Sequence, residues 1–273
     1  MRGSVTKRGA SWSFVVDRGI EPTTGRRRQQ RRSGFRTRKE AEEALRRTIS
    51  SLTDGTFVER TDETVDEYLT KWLAGLTANG RVKAKTARTY SECADRLRPE
   101  LGAIRLQALR PIEVERAYTA LLTRGGRRHQ GLHPRTVLHT HRVLHKSLAD
   151  AERLGLVARN VAAKVTAPSV PASTSVDNVW TAEELRAFFE FAGEEPLYPA
   201  FVLAGTTGMR RGEVAALRWI DLDLNTGVLS VAESVIPVGR DLVFSPPKTK
   251  KGMRMVTLDS GTLAVMRAHR KRQ

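Results

Sequence analysis

The start of the chain has the alternation and the side-chain types that predict a small sheet. Residues 11–16 (SWSFVV) are rich in β-branched and aromatic side chains, and residues 3–7 can pair with them across a tight turn. The basic run at residues 26–35 (RRRQQRRSGF) predicts a third strand. We expect this sheet to pack on a helix through the side chains of Trp12 and Phe14.

Most of the remaining chain repeats its apolar positions every three to four residues, which is the period of an amphipathic helix. Capping boxes and prolines suited to a first helical turn mark where these helices begin. The boxes lie at residues 37–40, 64–67 and 181–184, and the prolines are Pro111 and Pro134. Helices are predicted over residues 37–52, 65–76, 86–97, 111–122, 134–155, 181–192, 197–206 and 260–272, with another from 211, and strands over 227–232, 242–244 and 254–258.

Two changes in composition divide the chain. One lies near residues 55–63, and the other is a stretch that contains PSVPASTSVD, whose two prolines and small polar residues predict a linker. The expected fold class is therefore multidomain, with four parts. They are a small α+β unit of three strands and a helix over residues 1–58, an all-α four-helix bundle over 62–166, the linker 167–177, and the first part of a mixed α+β domain over 178–273.

The composition is that of a globular protein, with 40% hydrophobic and 28% charged residues among 273. No apolar run is long enough to cross a membrane, and the first residues lack the apolar segment of a secretory signal. Cys93, the single cysteine, excludes a disulfide framework and a cysteine-based zinc site. We therefore expect a cytoplasmic protein.

A formal net charge of +17 indicates a polyanionic partner. The charge is concentrated in the first two thirds, because residues 1–60 carry +8, residues 61–177 carry +7 and residues 178–273 carry only +2. Charge alone leaves nucleic acid and an acidic membrane surface open. The basic groups follow strand and bundle patterns rather than one amphipathic helix, which disfavours the membrane.

The most specific motif is GTTGMRRGEVAALRWIDLD, at residues 205–223. The pair Thr207–Gly208 ends one helix, so that Arg210 projects from the turn before the next. Glu213, three residues further on, is close enough to orient the guanidinium through a charge-assisted hydrogen bond. A fixed arginine of this kind can clamp two phosphate oxygens, as phosphoryl-transfer chemistry requires.

This motif resembles that of the tyrosine recombinases, the phage-type integrases, in which a TG-apolar-R-x-x-E segment precedes a Leu-x-Trp-x-Asp run. The resemblance implies that Arg210 stabilises the scissile phosphate and that Glu213 supports it. The family's general acid, a lysine in a β-hairpin, corresponds best to Lys248 in PPKTKKGMRMVTL, with Lys250 and Lys251 as alternatives.

The rest of the chain resembles the same family in the same order. Residues 1–58 are similar to the AP2-like arm-binding domains that lay a three-stranded sheet into the major groove, and residues 62–166 are similar to the SAM-like core-binding domain. The DNA contacts implied by the resemblance are Arg26, Arg27, Arg28, Arg31 and Arg32 in the first region and Lys83, Lys85, Arg88, Arg135 and Arg142 in the second. Strand alternation should turn about half of the first group toward DNA.

The resemblance implies a site-specific integrase that exchanges DNA strands through a 3′-phosphotyrosyl intermediate, without cofactor or metal. The implied partners are double-stranded DNA at arm-type and core-type attachment sites and three further copies in a tetramer, with an excision helper protein as an additional candidate. The implied location is the nucleoid of a bacterial cell.

The family's His-x-x-Arg box and attacking tyrosine are expected beyond Gln273, so we expect this chain to bind DNA without cleaving it. The four tyrosines at positions 68, 90, 118 and 198 all precede Arg210 and are expected to serve packing. The main alternative is therefore a DNA-binding protein that only occupies attachment sites. An RNA-binding protein is supported by charge alone, and a zinc pair at His141 and His145 lacks further ligands.

Overall fold

The computed structural model describes residues 3–20, 25–54, 57–126, 130–170, 179–246 and 252–273. By internal contacts the chain forms two units, Met1–Arg81 with Thr89–Val170, and Val82–Arg88 with Pro171–Gln273. Both helices and antiparallel strands are present, so the protein is a mixed α+β structure. None of the helices in the described part of the chain is long and apolar enough to cross a membrane.

The first unit opens with an antiparallel sheet of three strands in the order β1-β2-β3, and a helix covers one face of it. Phe14 and Val16 are fully buried against Leu45 of the helix. Trp12, predicted in the core, is only half-buried because it lies at the end of its strand, beside a bulge. The elements are β1 (Gly3–Arg8), β2 (Ser11–Ile20), β3 (Arg27–Phe35) and α1 (Arg38–Thr53), whose predicted capping box is present.

Four longer helices follow, and their apolar stripes supply most of the remaining core of this unit. Pro111 and Pro134 occupy first-turn positions of their helices, as predicted. The buried hydroxyl of Tyr68 donates to the carbonyl oxygen of Ser147 at 2.5 Å, which ties the first of these helices to the last. The helices are α2 (Val65–Ala78), α3 (Ala84–Leu101), α4 (Pro111–Arg124) and α5 (Pro134–Arg153).

The second unit packs helices against a short antiparallel sheet of order β4-β5-β8, around a core that includes Leu203, Leu229 and Met266. A separate hairpin, β6-β7, contains a strand that the sequence pattern missed. Pro237 obscured this strand, and it is accommodated because a two-stranded ribbon leaves one edge of each strand unpaired. The elements are α6 (Ala182–Phe191), α7 (Tyr198–Thr207), α8 (Arg211–Ala215), β4 (Leu222–Asp223), β5 (Val228–Val231), β6 (Ser234–Val238), β7 (Asp241–Ser245), β8 (Arg254–Thr257) and α9 (Ser260–Arg272).

Candidate functional site

A tight turn between α7 and α8 holds Arg210. Helix α7 ends at Thr207, and Gly208 follows with φ 64° and ψ 21°, a left-handed conformation that glycine adopts without strain. Met209 is then buried in the core of the second unit, which fixes the backbone on the near side of the arginine. Arg210 is the N-cap residue of α8. Its backbone position is therefore set by packing on one side and by the helix start on the other.

Glu213 anchors Arg210 through two hydrogen bonds. The backbone N–H of Arg210 donates to Oε2 of Glu213 at 3.0 Å, and Nη1 of Arg210 donates to Oε1 at 3.0 Å. The carboxylate is 3% exposed, whereas the arginine side chain is 78% exposed. The predicted pairing of these two residues is thus present. Most of the guanidinium remains available to an incoming phosphate, and the Glu213 carboxylate fixes its orientation.

Arg254, at the start of β8, is a third member of the site that sequence reasoning missed. Its Nη2 donates to Oε2 of Glu213 at 2.9 Å, and its side chain is 29% exposed. Arg254 and Glu213 are 41 residues apart in sequence, so no short sequence motif could predict their contact. The site therefore consists of two arginines that share one buried carboxylate, with one positive charge in excess for an anionic ligand.

The ionisation of Glu213 is stabilised by this arrangement. Burial alone raises the pKa of the carboxyl, but hydrogen bonds from Arg254 and from the backbone and side chain of Arg210 outweigh it and lower the pKa to about 2. The carboxylate is consequently charged at neutral pH.

We expect this pKa to make the second unit sensitive to acid. A carboxyl with a lowered native pKa contributes its full stabilisation above its unfolded pKa of about 4.5, and loses it as the pH falls toward 2. The ionised Glu213 carboxylate contributes about 3 kcal/mol to the free energy of unfolding. Urea unfolding between pH 2 and pH 6 should therefore show stability rising with pH, with a smaller rise in Glu213→Gln. An equal rise in both proteins would contradict the assignment.

The candidate general acids Lys248, Lys250 and Lys251 lie outside the described residues. The nearest described residues are Pro246, after β7, and Gly252, before β8. Within the second unit, Nζ of Lys83 donates to the carbonyl oxygen of Pro246 at 3.1 Å. Lys85 and Arg88, also predicted to contact phosphates, lie in the first two turns of α3 beside it.

The register of the N-terminal sheet divides its arginines between two faces. Arg32 pairs with the buried Phe14, so it lies on the face that α1 covers, whereas Arg31 pairs with Val15 and lies on the open face. Arg27 forms an ion pair of 2.7 Å with Asp17, which also lies on the open face by its register. Two further arginines, Arg26 before β3 and Arg28 at 3.4 Å from Glu59, complete the predicted group.

Comparison with known proteins supports a single family. Residues 4–52 match the model of the Arm DNA-binding domain. A XerC-like tyrosine recombinase of Caldanaerobacter subterraneus subsp. tengcongensis is 24% identical over 87% of this chain and 63% of its own length. An integrase of Streptomyces ambofaciens is 28% identical over 76% of this chain and 51% of its own length. The chain is thus similar to tyrosine recombinases and integrases over most of its length. It spans less than two thirds of the length of these two relatives.

Solved structures of two integrases on DNA share the fold of this chain. The integrase of transposon Tn1549, in complex with a circular intermediate DNA, aligns with a TM-score of 0.65 and 19% identity over 77% of this chain and 66% of that one. A lambda integrase dimer bound to a COC′ core site aligns with a TM-score of 0.52 and 19% identity over 97% of this chain and 80% of that one.

Two of the predicted phosphate contacts share one stripe of α5. Arg135 and Arg142 are seven residues apart, or about two helical turns, and both are exposed. The opposite stripe carries the buried Val137 and Leu144. The helix thus holds its basic residues on the solvent side by burying its apolar side.

The tyrosines and the paired histidines have packing partners. Tyr118 is hydrogen-bonded to Nδ1 of His141 at 3.0 Å, and Tyr90 stacks on Trp72 with ring centroids 5.6 Å apart. Burial and the nearby His145 and Arg142 lower the pKa of His141. In the part of the chain that the structure describes, no three His, Cys, Asp or Glu side chains are grouped as metal ligands.

Proposed function

We propose that the protein is a site-specific DNA integrase that exchanges strands through a 3′-phosphotyrosyl intermediate. The observation that carries this proposal is the exposed guanidinium of Arg210, fixed on the buried carboxylate of Glu213. Arg210 would neutralise the charge that develops on the scissile phosphate. Lys248, with Lys250 and Lys251 as alternatives, would protonate the leaving 5′ oxygen. The phosphotyrosyl bond conserves the energy of the phosphodiester, so the route uses no nucleotide or metal cofactor.

We propose that successive regions of the chain have different functions. Residues 1–58 would bind arm-type DNA, residues 62–166 would bind core-type DNA, residues 167–177 would link them to the catalytic part, and residues 178–273 would contribute Arg210 and its partners. The three-stranded sheet on α1 and the exposed basic stripe of α5 support the first two assignments. The reaction would take place on the DNA of a bacterial cell.

The active assembly would be a tetramer that joins two DNA sites, with a helper protein directing excision. Among proteins of the same fold, a lambda integrase tetramer has been solved on a Holliday junction. The alternative of a protein that only occupies attachment sites is not favoured, because the relatives of this chain are recombinases and integrases by name.

Covalent trapping on DNA tests this function. The protein is expressed from its complete reading frame and incubated with a nicked duplex that carries the attachment core of its own element. A protein–DNA adduct, mapped by mass spectrometry to a tyrosine bearing a 3′-phosphate, is the expected result. Tight and sequence-specific binding that never yields an adduct would instead support the binding-only alternative.

We also expect the open face of the sheet to contact the arm-type duplex through Arg31. Removal of a guanidinium that contacts a base or a phosphate costs about 1–3 kcal/mol, or roughly a 5- to 150-fold loss of affinity. Arg31→Ala should therefore weaken arm-site binding about tenfold and reduce the salt slope of log K by about 1. Arg46→Ala, an exposed position on α1, is the matched control and should stay within twofold of the wild type. Equal losses in both variants would refute the assigned face.

A further inference from the structure

The first unit contains an open pocket with a cavity volume of about 750 Å³ that the proposed recombination chemistry does not use. Residues from β3, from α1 and from the segment 57–60 line it. The lining includes three arginines and two phenylalanines, namely Arg32, Arg47, Arg60, Phe35 and Phe57. A cavity of this volume is of the size that small organic ligands occupy.

The positive charge of the pocket lining favours the binding of an anion. Within the described residues, neither Arg32 nor Arg60 has an ion-pair or side-chain hydrogen-bond partner, and both are exposed. Arg47 has only a loose pairing with Glu43, at 4.0 Å and with 80% of its side chain exposed. Three guanidinium groups on one pocket repel one another until an anion enters. Arginine binds phosphate oxygens in a bidentate manner, so phosphate is the anion that suits them best.

The pocket is distinct from the open face of the sheet. Arg32 pairs with Phe14 and lies on the side of α1, whereas its neighbour Arg31 pairs with Val15 and lies on the other side. A duplex laid on the open face therefore leaves Arg32 without a contact. The basic residues of β3 serve two surfaces, and only one of them has been assigned to duplex DNA.

One wall of the pocket is already held in place without a ligand. The guanidinium of Arg18 lies over the ring of Phe57, 4.7 Å from its centroid, and pairs with Glu59 at 3.3 Å. The backbone carbonyl of Glu59 accepts a hydrogen bond of 2.7 Å from Nε2 of Gln107. The carboxylate of Glu59 is thus engaged by Arg18 and leaves the adjacent Arg60 free for a ligand. Such preorganisation lowers the entropic cost of binding.

We propose that this pocket binds a nucleotide, with its phosphate between Arg32, Arg47 and Arg60 and its base against Phe35 and Phe57. Aromatic rings and arginines are the combination that proteins use to hold single nucleotides and unpaired strands. The nucleotide is either free or part of a single DNA strand, and the chemistry of recognition is the same in both cases. The inference does not depend on the proposed integrase activity, because it requires neither the duplex face nor Arg210.

The test is a calorimetric titration of the complete protein at constant ionic strength with three probes, dTMP, the single strand (dT)8 and inorganic pyrophosphate. We expect dTMP and (dT)8 to bind, with Arg32→Ala and Arg60→Ala each weakening both at least tenfold. Arg46→Ala removes the same charge from α1 outside the pocket and serves as the matched control. Comparable affinity for dTMP and (dT)8 indicates that the ligand is a free nucleotide. Binding of (dT)8 alone indicates that the ligand is single-stranded DNA. Either result supports the site.

Three results would overturn the proposal. The first is the absence of binding by both nucleotide probes. The second is an equal loss in Arg32→Ala and Arg46→Ala, which would indicate attraction by net charge alone. The third is pyrophosphate binding as tight as that of dTMP, which would contradict a role for the aromatic rings. Duplex binding separates this proposal from the function proposed above, because Arg31→Ala and Arg32→Ala should rank in opposite order for duplex and for dTMP. Thermal melting of each variant confirms that it is folded.

Discussion

Arg210→Ala is expected to lower covalent adduct formation by about 10²–10³-fold, the usual cost of removing one preorganised group that stabilises a transition-state charge. The loss should fall on the rate of adduct formation. Duplex affinity should change by less than threefold, because the proposed contacts of many other arginines and lysines with the DNA backbone would remain. Arg210 is suited to stabilising the transition state because Glu213 holds its guanidinium in place before substrate binds. Little reorganisation is therefore needed during the reaction.

The measurement is the single-turnover rate of adduct formation on the nicked attachment core, with duplex affinity measured in parallel. Arg211→Ala is the matched control, since Arg211 is adjacent, exposed and the first residue of α8. It should retain the wild-type rate within a few fold. Similar rates for the two variants, or a loss in Arg210→Ala that is entirely a loss of duplex affinity, would remove Arg210 from the catalytic step.

Glu213→Ala is expected to destabilise the second unit by about 3 kcal/mol, because hydrogen bonds to charged groups contribute about 1.5–3 kcal/mol each and two arginines would lose their shared partner. Glu213→Gln should cost less, because the amide oxygen still accepts one of these bonds. The effect should reach both α8 and β8, which the carboxylate connects.

Hydrogen exchange followed by mass spectrometry provides the local measurement, and urea unfolding provides the global one. In Glu213→Ala, amides of α8 and of β8 should exchange faster together, while those of α5 in the first unit remain unchanged. Glu233→Ala is the control, because among the described residues Glu233 has only a 3.7 Å pairing, with Arg218, and its side chain is partly exposed. Faster exchange in α8 without any change in β8 would show that Arg254 is not coupled to the site through Glu213.

The sequence predicted best those features that depend on near neighbours. The box of Thr37 with Glu40 and the pairing of Arg210 with Glu213 each span three residues, and both are present. The contact of Arg254 with Glu213 arises from tertiary packing across 41 residues, and nothing in its local sequence distinguishes Arg254 from a surface arginine. The strand around Pro237 was missed for a different reason, since its hairpin tolerates a residue that an interior strand would not.

Strand alternation predicted that about half of the arginines near β3 would turn toward DNA, but it did not identify which ones share a face. That assignment required the pairing register, which bulges shift at two points, between Trp12 and Ser13 and between Asp17 and Ile20. Bulges depend on the partner strand as much as on the strand itself. The division between Arg31 and Arg32 was therefore available only from the structure.

The register of β3 also has a consequence for how this protein tolerates mutation. A deletion or insertion of one codon within the strand would exchange its two faces, so that Arg32 and Arg31 would trade places. Such a change would leave the net charge almost unchanged while altering what each surface offers to a ligand. Point substitutions at the same positions would affect one surface at a time. Single-codon length changes in this strand are thus more disruptive than their size suggests, and variants that alter its length should be rarer than variants that alter its side chains.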